Sequence, residues 1–183
     1  NETMQYDGNG NMLSEGRHTY QYNYRNRMIS VDNGSTATYQ YDALDRRIRK
    51  TTATDTIHFY YRGVQCIEER TTTDTITYVY GRALDDILSM RRNGQDYYYH
   101  KNHLGSVMVI TDSNGTIVET YDYDPYGAPT IRNAAGTEIA ASTIGNSVLF
   151  SGYRYENMIG LYYSRARILH PINGIFIQHD PLL

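Results

Sequence analysis

A strand-and-turn unit that keeps returning along the chain constrains its fold more than any other feature. The clearest copy is Tyr39-Gln40-Tyr41-Asp42-Ala43-Leu44-Asp45-Arg46-Arg47-Ile48. Tyr39 and Tyr41 alternate on one strand face, Asp42 to Asp45 make the turn, and Arg46 opens the return strand. Other copies begin at Tyr6, Tyr22 and Tyr123. The fifth position of the unit is Gly10, Asn26, Asp45 and Gly127, residue types that tolerate a left-handed backbone, so each copy is expected to close its turn with positive φ there. Repeat tyrosines fall at 6, 22, 41, 61, 80 and 99, intervals of 16, 19, 20, 19 and 19. Such a period means stacked supersecondary units, each pairing with its neighbours.

Between the repeat tyrosines, Tyr20/Tyr22/Tyr24, Ile57/Phe59/Tyr61 and Ile76/Tyr78/Tyr80 alternate as strands, with return strands at Met28-Ile29-Ser30-Val31, Val64-Gln65-Cys66-Ile67 and Ile87-Leu88-Ser89-Met90. Links such as Ala53-Thr54-Asp55 and Asn93-Gly94 are turn-rich, and no segment reads as a helix of ten or more residues. The expected fold class is all-β: antiparallel hairpin repeats forming one continuous curved sheet. Copies of the repeat unit are expected over residues 1–98, a further hairpin over 99–127, a variable surface loop over 128–149 and a distinct C-terminal segment over 150–183. In that last segment Phe150 to Arg154 and Gly160 to Arg167 read as two strands joined by a turn at Glu156-Asn157-Met158-Ile159. A turn at His170 to Gly174 then leads to a final strand, Ile175-Phe176-Ile177.

Composition agrees with a partly covered sheet. Tyr accounts for 20 of 183 residues, Phe for 3 and Trp for none, so the large apolar surfaces nearly all carry a hydroxyl that tolerates water. A net charge of -3 argues against a phosphate-tracking surface and hence against nucleic acid as a partner. The basic run Arg46, Arg47, Arg49, Lys50 reads as a solvated strand face. The tyrosines with interleaved arginines also suit stacking against single-stranded nucleic acid or sugars, but their spacing is the strand period, which favours a structural role. Cys66 is the only cysteine, which excludes an internal disulfide and any multi-cysteine metal site. No stretch has the length and apolarity of a membrane-spanning helix. The first residues run straight into a repeat, so the chain is expected to be a piece of a longer polypeptide.

Few side chains suggest chemistry. His100 and His103 supply too few ligands for a metal, and Ser106 has no identifiable base, so neither a metal site nor a cofactor is expected. Asp180, before Pro181, reads either as a turn residue or as half of an aspartyl pair, which needs two carboxylates sharing a proton. Arg167 reads either as its electrostatic partner or, alternating with Arg165, as a solvent-facing residue.

Taken in order, His100 to Gly105, Thr111-Asp112, Asn114-Gly115, Tyr121-Asp122-Tyr123-Asp124-Pro125-Tyr126-Gly127, Phe150-Ser151-Gly152, Gly160-Leu161-Tyr162-Tyr163, Arg165-Ala166-Arg167 and Asp180-Pro181 resemble the YD-repeat, or Rhs, proteins and their repeat-associated core. That resemblance covers nearly the whole chain. It implies a β-sheet wound as a spiral into a hollow shell, as in bacterial polymorphic toxins, toxin complexes and teneurins. The implied role is an encapsulating scaffold of a secreted or cell-surface bacterial protein. Its implied partners are an enclosed C-terminal payload and neighbouring repeat sheet, with secretion machinery or surface glycans as further candidates; the runner-up role is an adhesive or carbohydrate-binding surface module. In the toxins the core curls inward as a plug and resembles an intramolecular aspartyl protease, which implies Arg167 as functional arginine and Asp180 as the first of two catalytic aspartates. The second is expected beyond Leu183, so this stretch alone is expected to be inactive. Two positions depart from the pattern: His170 stands where Asp is usual before Pro171, and Leu183 where Gly is usual.

Overall fold

A computed structural model of the chain describes residues 4–180. Most of the repeat turns are built by their first Asp or Asn. The Asp42 carboxylate accepts the backbone N–H groups of Leu44 at 2.9 Å and Arg46 at 3.0 Å, while Asp45 N–H donates to the Asp42 carbonyl. The same double acceptance recurs at Asp7, Asn23, Asn102, Asp112, Asp124 and Asn133. One short side chain thus satisfies two donors that the sheet cannot. The residue three places on must then turn left-handed, and Gly10, Asn26, Asp45 and Gly127 have φ of 80°, 57°, 59° and 100°, as expected from the sequence.

The hairpins so made are β1 (Gln5–Tyr6) with β2 (Met12–Ser14), then thirteen strands in one sheet. These are β3 (Tyr20–Tyr22), β4 (Met28–Val31), β5 (Ala37–Tyr41), β6 (Arg47–Thr51), β7 (Thr56–Arg62), β8 (Gln65–Arg70), β9 (Thr75–Tyr80) and β10 (Ile87–Arg92). They continue with β11 (Gln95–Lys101), β12 (Val107–Asp112), β13 (Ile117–Tyr123), β14 (Pro129–Asn133) and β15 (Glu138–Ile139). Every strand pairs antiparallel with its neighbours in sequence, the sheet is not closed, and no α-helix occurs among the described residues. An isolated bridge from Ser14 to Thr19 ties β2 to β3.

The repeat tyrosines explain why each turn stays beside the one before it. Tyr22, Tyr41, Tyr61, Tyr80 and Tyr123 donate their hydroxyls to the carbonyls of Met12, Met28, Arg47, Cys66 and Val107, each at the start of the preceding return strand. The ring packs in the core while its tip satisfies a neighbouring backbone, which Phe cannot do. Removing one such bond, as in Tyr41→Phe, is expected to cost about 1 kcal/mol, read from the urea midpoint.

A second, four-stranded sheet follows: β16 (Arg154–Glu156), β17 (Leu161–Ser164), β18 (Arg167–His170) and β19 (Ile175–Phe176). Its strands β17 and β18 are covered on both faces, while Ile175 and Phe176 of β19 are exposed. Leu161, Tyr163 and Ile168 join Met12, Tyr20, Met28, Val31 and Tyr39 in one core cluster. Tyr162 and Leu169 join Val107, Ile110, Tyr121 and Ile131 in the other. The early strands of the large sheet therefore cover one face of the small sheet and the late strands cover the other, so the strip curls around it.

Three details differ from the expectations above. Residues 128–149, read as a loop, contain β14 and β15, because Asn133 builds one more repeat turn whose Ala-Ala tip conceals it. Residues 150–152, read as strand, form a 3-10 turn, since Ser151 and Gly152 have φ of 50° and 75°. The stretch 160–167, read as one strand, is broken by a hairpin at Arg165, which has φ of 53°.

Candidate functional site

The tip of the β17–β18 hairpin and the strand that leaves it gather the residues on which a function was predicted. Arg167, first residue of β18, and Asp180, beyond β19, stand 3.1 Å apart as an ion pair, each side chain about one-third exposed. The Arg167 guanidinium also lies 3.7 Å from the Phe176 ring centroid, which restricts its plane. The chain reaches Asp180 through Gln178, whose amide donates to the Asn26 carbonyl at 2.7 Å, and His179, whose backbone N–H approaches Asn11 at 3.4 Å. Asp180 is thereby set against the first repeat turns. Pro181, Leu183 and the second carboxylate expected beyond it lie outside the described residues.

His170 does not face Asp180's partner. Its Nε2 lies 2.6 Å from Glu15, which also accepts the Tyr20 hydroxyl, so this residue pins the small sheet to the first repeats. His100 pairs with Thr111 across β11 and β12. Ser106 is fully buried and its hydroxyl accepts the Ser151 N–H at 3.0 Å, a structural bond holding the 3-10 turn.

A cluster of buried charges, missed in the sequence, lies between the two sheets. Glu156 on β16 accepts Arg47 at 2.6 Å and Lys50, both from β6. Arg154 on β16 pairs with Glu69 on β8, which also accepts the Tyr78 hydroxyl at 2.6 Å. Arg47, only 2% exposed, is enclosed by Tyr163, Phe59 and Tyr39, with centroids 4.1, 4.9 and 5.2 Å away. Burial raises the Glu156 carboxyl, but Arg47 and Lys50 outweigh it and hold it at about 2. Reading Arg47 and Lys50 as solvated is thus corrected. A bulge pairs Tyr41 with Arg47 and Gln40 with Arg49, so residues 47 and 50, three apart, both point inward. That phase slip is invisible to simple alternation. Arg46 keeps to the rim, bonded to Asp42 and over the Tyr61 ring.

The hairpin tip is clasped from two distant repeats. Arg165 pairs with Asp85 at 2.7 Å, and Arg27 donates to the Ala166 carbonyl. Arg165 is therefore not a solvent-facing residue alone. Below the tip, cavities of about 40 and 120 Å³ share Tyr61, Val64, Tyr163 and Arg165 as lining.

The thirteen-stranded curled strip with its repeated Asp turns matches a family model described as Teneurin YD-shell, over residues 1–166. The chain belongs to this family. In sequence the YD-shell chain is 40% identical over 95 residues to the tRNA3(Ser)-specific nuclease WapA of Bacillus spizizenii, covering 52% of this chain and 4% of that protein. In structure it resembles TcdB2-TccC3, with a TM-score of 0.70, 21% identity, and coverage of 97% of this chain and 10% of that one. The Photorhabdus luminescens Tc holotoxin pore gives a TM-score of 0.67 at 20% identity, covering 94% of this chain and 9% of that one. The YD-shell chain thus spans a small fraction of the length of each relative.

Proposed function

We propose that this YD-shell chain is a stretch of wall, with its inner plug, of a shell that encloses a secreted bacterial toxin or effector. The observation that carries this reading is the centre of the small sheet, β17 and β18, covered on both faces by a strip that curls around it. Because both covering layers belong to one continuous strip, that strip closes over the sheet between them. The names of the relatives, a nuclease and a Tc holotoxin pore, agree with an enclosed payload. The test is protease protection of a chain running on past residue 183. The downstream segment is expected to resist added protease until the shell is unfolded by urea, and equal digestion before and after would refute enclosure.

Arg167 and Asp180 are proposed as part of a self-cleaving aspartyl site. The 3.1 Å contact supports this, because it holds a guanidinium against the carboxylate that the cleavage would use, fixing its position for an attacking water. The second carboxylate would come from the chain beyond, so residues 1–183 alone are expected to be inert. In the extended chain Asp180→Asn, nearly unchanged in size, is expected to abolish cleavage followed on gels over time, with the thermal midpoint close to wild type. Arg167→Ala is expected to slow it by about tenfold or more. Undiminished cleavage in the Asp180→Asn chain would return Asp180 to a turn role.

A further inference from the structure

In a meander of hairpins, every second turn lies on the same rim of the sheet. The rim formed by the turns after β3, β5, β7, β9, β11 and β13 displays Tyr24, Leu44, Val64, Leu84, Leu104 and Tyr126, all between 55% and 88% exposed. Five of the six recur at intervals of twenty residues. The opposite rim, at 33–35, 53–54, 72–73, 93–94, 113–114 and 134–135, presents only Asn, Gly, Ser, Thr and Ala. Turn tips favour small polar residues, and nothing in the turn itself requires Leu or Tyr at these points. Six large apolar tips on one rim and none on the other mark a surface built to be covered.

We propose that this rim is the contact surface for a second copy of the chain, packed rim against rim about a two-fold axis. The order of the tips is nearly palindromic. Antiparallel apposition centred between Val64 and Leu84 sets Tyr24 against Tyr126, Leu44 against Leu104 and Val64 against Leu84 of the other copy. All six meet an apolar partner, because both rims repeat every two strands, about 9.5 Å. Charges agree with the same register. Arg25, which also holds Asp45, comes opposite Asp124, and Arg62, exposed and outside the ion pairs of the described residues, comes opposite Asp86, which also holds Lys101. A two-fold contact uses each of these pairs twice, which is the self-complementarity that a closed dimer requires. Six such side chains from each copy remove on the order of 1,000 Å² from water, at the lower bound of a specific interface. The contact therefore forms a dimer in the micromolar range rather than an obligate one.

Sedimentation of the 183-residue chain over a micromolar concentration series tests this. A monomer–dimer equilibrium is expected, weakened at least about tenfold by Leu44→Asp or Leu104→Asp, because each is buried twice. Thr54→Asp and Thr73→Asp on the opposite rim are expected to leave it unchanged. The register has its own readout: under mild oxidation Val64→Cys combined with Leu84→Cys is expected to give a covalent dimer, while Val64→Cys alone is not. All of these positions are exposed, so circular dichroism should be indistinguishable from that of the parent chain. A monomer throughout the series overturns the proposal. So does association that survives Leu44→Asp, which would place the contact at a strand edge, or a covalent dimer from Val64→Cys alone.

Discussion

Glu156→Gln is expected to lower the unfolding free energy by about 3–5 kcal/mol, measured by urea denaturation at neutral pH. The substitution keeps the volume of the side chain but leaves Arg47 and Lys50 facing a neutral amide between two sheets, where neither reaches water freely. Combining it with Arg47→Met is expected to recover part of the loss, since an unpaired buried cation costs more than a well-packed apolar side chain. Acid supplies an independent check. The Glu156 carboxyl sits at about 2 in the folded chain against 4.5 as a free side chain, so the folded state binds its proton less readily than the unfolded state. Its contribution is fully present above pH 4.5 and is lost as pH falls toward 2. The difference corresponds to about 3 kcal/mol. The wild-type chain should therefore lose more stability between pH 5 and pH 3 than the Glu156→Gln chain does. Equal losses would mean that the pair contributes nothing to docking of the inner sheet.

Gly127→Ala is expected to destabilise by about 2–4 kcal/mol, for two reasons that act together. Gly127 has φ of +100°, and a Cβ built there would lie 2.6 Å from the Phe150 ring. That ring is wedged between Tyr123 and Tyr162, with centroids 5.6 and 6.2 Å away, and the Gly127 carbonyl accepts the Tyr162 hydroxyl at 2.8 Å. Neither the turn nor the ring has room to give, so the added methyl pushes this repeat turn off the inner sheet. Gly8→Ala is the matched control. It also sits in a repeat turn, but its φ is not positive and a Cβ there meets nothing within 4 Å, so its effect should stay within about 0.5 kcal/mol. Thermal and urea midpoints of the two variants, side by side, separate the cost of the close approach from that of a glycine replacement in general.

What the sequence by itself determined is everything written in local chemistry. The repeat period is plain in the spacing of the tyrosines, and the Asp and Asn turns and the left-handed positions at Gly10, Asn26, Asp45 and Gly127 depend on groups within five residues of one another. The alternation that places Tyr39 in the core and Gln40 outside is equally local. The resemblance carried by residues 100–180 added the inner plug and singled out Arg167 and Asp180, a pair that the structure brings to 3.1 Å. Only the tertiary structure decided which charges are buried. Arg47 and Lys50 look like any solvated basic run until a bulge turns both inward, and Glu156, 106 residues after Lys50, arrives to pair with them. Arg165 likewise gained a role only when Asp85, 80 residues earlier, came to meet it. The physical reason is the same in each case. A turn or a strand phase is settled by the backbone of a few neighbours, whereas the environment of a charge depends on which distant surface the curled sheet lays over it.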